Sequence, residues 1–464
     1  MKKKVFFIYP PSPVLNREDR CQQPVKELFI IPPLPPMDLL YLAGVAELAN
    51  CEAKISDYSI GGNFIEDLET FKPDYLVVNV ATPTFQSDLK TIEFAKKRFP
   101  DLITIAKGAP FLTQNKDVLY ENKFLDIIII GEAEETLKEI LEGKDYSDIL
   151  GICYRDKFTV KFTGRRPFIE NLDELPFPAR HLIDNSIYKR PDNDKPQAII
   201  KVSRGCPYHC FFCLATPVSG VTVRRRSPEN IILEIKDCIK NYKITNFVFW
   251  SDIFNQDKEW VVNLCQSIIK AKLKITWSAN TRVDTTDQSL LNLMYKAGCR
   301  LVSVGVESGS QFILDKIEKK TTIFEIRDCF KMIKRAKMKS YAYFVIGLPW
   351  DDENTIKETI DLAIELNPDF VSFYTATPLP ATKFYNYAKK HNMFDEHYSY
   401  KNAYYYPIIK THSLSKERVM ELHKLAVRKF YLRPSYILKM LSQIRSFAEF
   451  KNYFRAGMSL LFHG

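Results

Sequence analysis

Short apolar runs alternate with stretches of helical period along most of the chain. In the first third the runs are Val5–Tyr9, Ala53–Asp57, Tyr75–Val80, Ile103–Lys107 and Asp126–Ile130. Between them, Met37–Ala49, Gln86–Arg98 and Glu134–Glu142 repeat apolar residues at helical spacing. Runs this apolar, separated by helices, predict parallel strands covered on both faces and so a doubly wound α/β domain over residues 1–149. Ligands of such domains sit at the carboxyl ends of the strands. Those ends carry Pro10-Pro11, Asp57-Tyr58, Ala81-Thr82-Pro83, Gly108-Ala109 and Gly131-Glu132. The carboxylates of Gly131-Glu132-Ala133-Glu134 suit the N-terminus of a helix. No GxGxxG follows the first run, which disfavours a dinucleotide.

Residues 150–197 show neither period and read as a connector, its centre the acidic, proline-rich segment Asn171-Leu172-Asp173-Glu174-Leu175-Pro176-Phe177-Pro178. A second β/α series then begins. Its strands are predicted at Ala198–Val202, Phe247–Trp250, Ile275–Ser278, Leu301–Val306, Tyr341–Ile346 and Phe370–Tyr374, with helical patterns over 229–241, 257–271, 287–297, 323–337 and 354–366. Six units suggest a partial (β/α)6 barrel over 198–399, with its active site at the C-terminal ends of the strands. Residues 400–464 read as a helical C-terminal segment divided by Pro434.

Composition narrows the class without naming a function. The hydrophobic fraction of 46% and charged fraction of 26% are those of an ordinary globular protein. A net charge of +10 over 464 residues is mild, and the densest basic run is Arg224-Arg225-Arg226, so no nucleic-acid partner is expected. The apolar run after Met1-Lys2-Lys3-Lys4 stops at Pro10-Pro11, too short for a signal peptide, and no stretch approaches the roughly 18 apolar residues of a membrane span. A cytoplasmic location is expected. Of ten cysteines, seven are scattered singly, as core residues of a reducing compartment would be.

The other three stand together directly after the first strand of the second series, in Ser203-Arg204-Gly205-Cys206-Pro207-Tyr208-His209-Cys210-Phe211-Phe212-Cys213. Gly205 and Pro207 make this a loop. A structural zinc site wants four ligands from paired elements; no second CxxC pair exists here, and His209 is awkwardly placed beside Cys210. A [4Fe–4S] cube accepts three thiolates and leaves one iron open. Cys206, Cys210 and Cys213 are therefore candidate metal ligands.

The spacing Cys206-x3-Cys210-x-Phe212-Cys213 resembles the CxxxCx(aromatic)C motif of the radical S-adenosylmethionine superfamily. That resemblance implies a [4Fe–4S] cluster whose open iron chelates S-adenosylmethionine, reductive cleavage to a 5′-deoxyadenosyl radical, and an external electron donor such as flavodoxin or ferredoxin. It also implies cofactor contacts at later strand ends: Ser251 and Asp252; Asn280 and Arg282 in Ser278-Ala279-Asn280-Thr281-Arg282; Glu307 and Ser308 in Gly305-Val306-Glu307-Ser308-Gly309; and Gly347 in Ile346-Gly347-Leu348-Pro349. Singly, each suits a cap or a turn; their order behind the cysteine loop makes the set specific.

A doubly wound domain ahead of such a barrel, joined by Asp173-Glu174-Leu175-Pro176, resembles the cobalamin-binding subclass of these enzymes. Pro10-Pro11, Tyr41-Leu42-Ala43 and Gly131-Glu132-Ala133-Glu134-Glu135-Thr136 carry the likeness in the front domain. There is no histidine before His181, so the DxHxxG motif of cobalamin-dependent mutases is absent and cobalt would lack an imidazole from this domain. Gly108-Ala109-Pro110 stands where the subclass often has Gly-Gly and a histidine. Cobalamin is the expected second cofactor; the alternative is a domain that keeps the fold and binds no corrin.

Two reactions of a small-molecule substrate fit: methylation of an unactivated carbon, or oxidative cyclisation or rearrangement of a tetrapyrrole or hopanoid-like lipid. A non-enzymatic iron–sulfur and cobalamin sensor is the third reading, weakened by the lack of an output motif. No side chain is singled out for substrate chemistry. The basic, aromatic stretch 428–464 suits either packing over the barrel or a peripheral contact with an anionic membrane, the latter favouring a hydrophobic or lipid substrate.

Overall fold

The computed structural model describes residues 2–13, 15–24, 33–190, 194–395, 398–400, 403, 406–444 and 450. They form two compact units, one running to Ile187 with the addition of Leu214–Gly220, the other made of Tyr188–Cys213 and the chain from Val221 onward.

The front unit is built on a seven-stranded sheet. Its order is Glu52–Asp57, Lys4–Tyr9, Tyr75–Asn79, Ile103–Lys107, Ile127–Ile129, Ile152–Asp156, Thr159–Phe162. The first five are parallel and follow the doubly wound order 2-1-3-4-5, so the switch point lies between Lys4–Tyr9 and Tyr75–Asn79. Both faces are covered. Phe6, Ile8, Leu76, Val78, Ala106 and Ile128 pack with the helices Phe64–Phe71, Phe85–Arg98 and Lys116–Glu121 on one side. The helices Met37–Leu48 and Glu134–Glu142 pack together on the other.

Two hairpins go beyond the pattern read from sequence. Ile152–Asp156 and Thr159–Phe162 extend the sheet antiparallel, inside the stretch that reads as connector. Their turn is made by Lys157 at φ +53 rather than by a glycine, so it carries no turn signal. The rest of the stretch is a strap: Ala179 N–H donates to Leu40 O at 3.0 Å, and Gly44 leaves room for Phe177 O, 2.9 Å from where a Cβ would stand. The second hairpin, Leu15–Glu18 with Cys21–Pro24, lies against the carboxyl ends of the parallel strands.

The second unit holds six parallel strands in sequential order: Gln197–Lys201, Asn246–Trp250, Thr276–Thr281, Cys299–Glu307, Lys339–Ile346 and Phe370–Thr375. This is the expected partial (β/α)6 barrel. Along Lys339–Ile346 burial alternates strictly. Ala342, Phe344 and Ile346 enter the helix-covered core with Ile356, Ile360 and Val419. The half-buried Tyr341, Tyr343 and Val345 line the inner, concave face. The helix Lys416–Tyr431 packs on the last strand, where the Tyr431 hydroxyl accepts from Val371 N–H at 3.0 Å and His423 Nε2 meets Phe373 O at 2.8 Å. Phe430, Tyr431 and Tyr436 are buried, so packing accounts for the aromatic residues of 428–436. The 445–449 and 451–464 part of the predicted basic segment lies outside the described residues.

Candidate functional site

The cysteine loop follows the first barrel strand and is held from four sides. Ser203-Arg204 pairs antiparallel with Arg224-Arg225. Gly205 sits at φ +103, and a Cβ there would run into Thr222 O, so glycine is required on both counts. Gly205 N–H donates to Asp252 Oδ2 at 2.7 Å, tying the end of the second strand to the loop. Further along, Phe211 N–H donates to Ile317 O and Phe384 N–H to Phe211 O, both at 3.0 Å. The Phe211 ring is buried against Trp350, Phe384 and Tyr387.

Cys206 is nearly buried, and Cys210 and Cys213 are half-buried. Burial pushes the Cys206 thiol up, helped by Asp252 and Cys210. Among the described residues no three His, Cys, Asp or Glu side chains converge as ligands of a single ion. A tetrahedral zinc needs each sulfur about 2.3 Å from the metal, hence sulfurs roughly 4 Å apart. A four-iron cube spreads its ligands wider. Three thiols on one pinned loop, with cations set beside them, fit the cube.

Two cations face the loop. Arg282 stacks its guanidinium 3.6 Å from the Tyr208 ring centroid, grips Asp284 with two hydrogen bonds and donates to Lys319 O at 2.8 Å. Lys319 Nζ lies 2.7 Å from Glu307 Oε1, both side chains nearly dry. Burial alone would lower the pKa of either cation. Asp284 and Cys210 raise that of Arg282, and Glu307 and Cys210 that of Lys319, so both stay charged.

The residues marked in the sequence divide by place. Asp252, Arg282 and Glu307 reach the cysteine loop, the last through Lys319. Asn280 lies on the inner face of its strand, and its carboxamide makes no hydrogen bond among the described residues. Ser251 is buried at the end of the second strand. Ser308 instead braces the turn after the fourth strand, its hydroxyl 3.1 Å from Thr359 Oγ1 and accepting from Ser310 N–H. Gly347, at φ +90 and tight against Val419, donates its N–H to Asp351, as does Leu348, both at 2.9 Å. Asp351 is fully buried, and burial pushes its carboxyl up to about 7. Lys319 carries no sequence signal for the site, since a lysine inside Glu318-Lys319-Lys320 reads as a solvated surface run.

In the front unit, the hairpin engages two neighbouring strand ends, those of Tyr75–Asn79 and Ile103–Lys107. Arg17 donates to Asn79 O at 2.9 Å and forms a buried two-pronged pair with Asp88. The Gln22 side-chain oxygen accepts from Thr82 N–H, and Asp19 meets both Lys107 and Ala109 N–H. Asn79, at the switch point, is wholly buried, and neither side-chain polar atom finds a partner among the described residues. Among the described residues no imidazole is bonded at these ends, and His181 lies on the surface against Glu47. This edge fits a corrin held through amide and backbone groups.

Two family models match the chain: the Radical SAM superfamily over residues 200–363 and the B12 binding domain over residues 32–141. The chain belongs to the cobalamin-binding radical S-adenosylmethionine family. Members are enzymes that use a [4Fe–4S] cluster, S-adenosylmethionine and cobalamin, and act on a small molecule with electrons from a donor. An uncharacterized methyltransferase of Pyrococcus horikoshii is 29% identical over 414 residues, 87% of this chain and 89% of that one. An anaerobic magnesium-protoporphyrin IX monomethyl ester cyclase of Rubrivivax gelatinosus is 27% identical over 420 residues, 87% of this chain and 75% of that one. The structure of the radical S-adenosylmethionine methyltransferase TsrM from Kitasatospora setae, with cobalamin and cluster bound, shares the fold at a TM-score of 0.70 and 15% identity, covering 99% of both chains. For this radical S-adenosylmethionine enzyme, no helix among the described residues is long and apolar enough to cross a membrane.

Proposed function

We propose that Cys206, Cys210 and Cys213 hold the cluster, and that the enzyme methylates an unactivated carbon. The observation that carries this is the cysteine loop itself, pinned at Gly205 and Phe211 and bracketed by Arg282 and Lys319 at the barrel's strand ends. When bound, cluster and S-adenosylmethionine supply a hydrogen-abstracting radical and cobalamin a methyl carrier. The chain's own part is positional. Asp252 orients the loop, Arg282 fixes Tyr208 and the 317–319 segment, and the Asp351 turn shapes the fifth strand end. Asn280 offers a free carboxamide on the inner face for cofactor or substrate. Asn79, Thr82 and Gly131 at the front sheet's edge would hold the corrin. The near full-length match to a relative called a methyltransferase favours methylation.

Cyclisation is the second reading, favoured by the inner wall. Tyr341, Tyr343 and Tyr374 form a run of close ring pairs there, 4.6 and 6.1 Å between centroids, which suits a flat hydrophobic substrate. We place the protein in the cytoplasm, with flavodoxin or ferredoxin as electron donor. Anaerobic reconstitution with S-adenosylmethionine and a strong reductant tests the enzyme: 5′-deoxyadenosine is expected, and none from a fully clustered protein contradicts the proposal. With substrate, methyl transfer also yields S-adenosylhomocysteine; a cyclase yields 5′-deoxyadenosine without it.

A further inference from the structure

The Glu307–Lys319 pair is an unusual thing to build next to a metal loop. Its two side chains are 10% and 8% exposed, and an ion pair this dry is no more stable than a packed apolar pair would be. The backbone around it is also unusual. Glu307, Glu318 and Lys320 all lie in the left-handed region, at φ +69, +55 and +55, which non-glycine residues occupy sparingly and which clusters at functional sites. The pair lies close over Gly305, where a Cβ would stand 2.9 Å from the Lys319 ammonium and closer still to the Glu307 carboxylate. Strand, bulge and helix end are thus shaped to set one carboxylate and one ammonium together.

Their position is fixed relative to the cysteines. Phe211, which stands between Cys210 and Cys213, donates its N–H to Ile317 O. Arg282 donates to the carbonyl of Lys319 itself. The ammonium therefore hangs from a segment hydrogen-bonded to the cysteine loop. Arg282, the second cation here, is matched in two-pronged fashion by Asp284. Reducing an iron–sulfur cluster adds one negative charge, and net charge and solvent exposure are main determinants of its potential. In a site this dry a fixed charge acts at greater strength than in water.

We infer that the Glu307–Lys319 ion pair sets the reduction potential of the cluster, Lys319 making it easier to reduce and Glu307 tempering that effect. The inference rests on the three cysteines being the ligands. Lys319 acts here as a positioning residue for charge, touching neither substrate nor iron.

The test is a redox titration of the reconstituted full-length protein followed by electron paramagnetic resonance, with iron and sulfide counted in each variant. Lys319→Met is expected to make one-electron reduction about tenfold less favourable, a shift of about 59 mV to lower potential. Glu307→Gln is expected to shift it in the opposite direction, Lys319→Arg to leave it in place, and Glu307→Gln with Lys319→Met to return it close to the parent value. A merely structural role would move both single variants the same way or cost them iron. The inference is overturned if both single variants carry full clusters at the parent potential, or if their shifts share a sign. Should one single variant take up no iron, the other and the double variant still decide: one shifted and the pair restored supports the inference, and both unshifted or both shifted alike refutes it. A parent protein that holds no cluster would instead remove the reading of the cysteines.

Discussion

At Gly205 two constraints coincide, a positive φ and the carbonyl of Thr222 where a Cβ would go. Gly205→Ala is therefore expected to misplace Cys206 and leave reconstituted protein with well under the parent iron content, measured per folded chain. Asp252→Ala removes the acceptor for Gly205 N–H and is expected to act in the same direction, whereas Asp252→Asn keeps an oxygen at that place and should be milder. Asp351 gives a pH effect whose sign is fixed. Its carboxyl titrates at about 7 in the fold, above the ordinary 3.8. The stability it contributes is full below about pH 4 and is lost as pH rises through about 7. The parent protein should lose stability between pH 5 and 8 relative to Asp351→Asn, as read from urea unfolding at the two pH values. Cys206, Asp252 and Glu307 stand out in the sequence because they belong to short local patterns at strand ends. Lys319 and Asp351 do not, since burial gives each its character and only tertiary packing creates that burial.

The elements divide along similar lines. Long apolar runs announced the parallel strands of both sheets, because strands buried on two faces need continuous hydrophobic sequence. The hairpin Leu15–Glu18/Cys21–Pro24 went unseen, since Asn16, Arg17 and Gln22 are buried there through polar pairing rather than hydrophobicity. Arg17 and Asp88 are wholly buried as a pair. Arg17→Met strands the Asp88 carboxylate and is expected to cost the protein about 3–5 kcal/mol. Arg17→Met with Asp88→Leu should recover much of that loss, as denaturant unfolding of both variants would show. The hairpin Ile152–Asp156/Thr159–Phe162 was missed for its glycine-free turn, although Thr159–Phe162 alternates in exposure as a strand edge should.

Across the whole molecule, a cluster site and a corrin-binding domain share one chain, and each makes a separate demand. Among the described residues, the front domain's strand ends offer the unpaired Asn79 carboxamide and no imidazole. Cob(II)alamin bound by the protein should therefore show no histidine-nitrogen splitting in its electron paramagnetic resonance spectrum; such splitting would overturn the histidine-free edge. The two-domain plan was legible because each half carries its own periodicity and its own landmark. The substrate was not, since the inner wall of Tyr341, Tyr343 and Tyr374 emerges only when neighbouring strands align. The most direct test of the three-cysteine site is the spectrum of the reduced cluster with and without S-adenosylmethionine. The parent protein should give an iron–sulfur signal that changes on adding S-adenosylmethionine, and the Cys206→Ala/Cys210→Ala/Cys213→Ala variant should give none. A signal that ignores S-adenosylmethionine, or one that survives in the triple variant, would contradict the assignment.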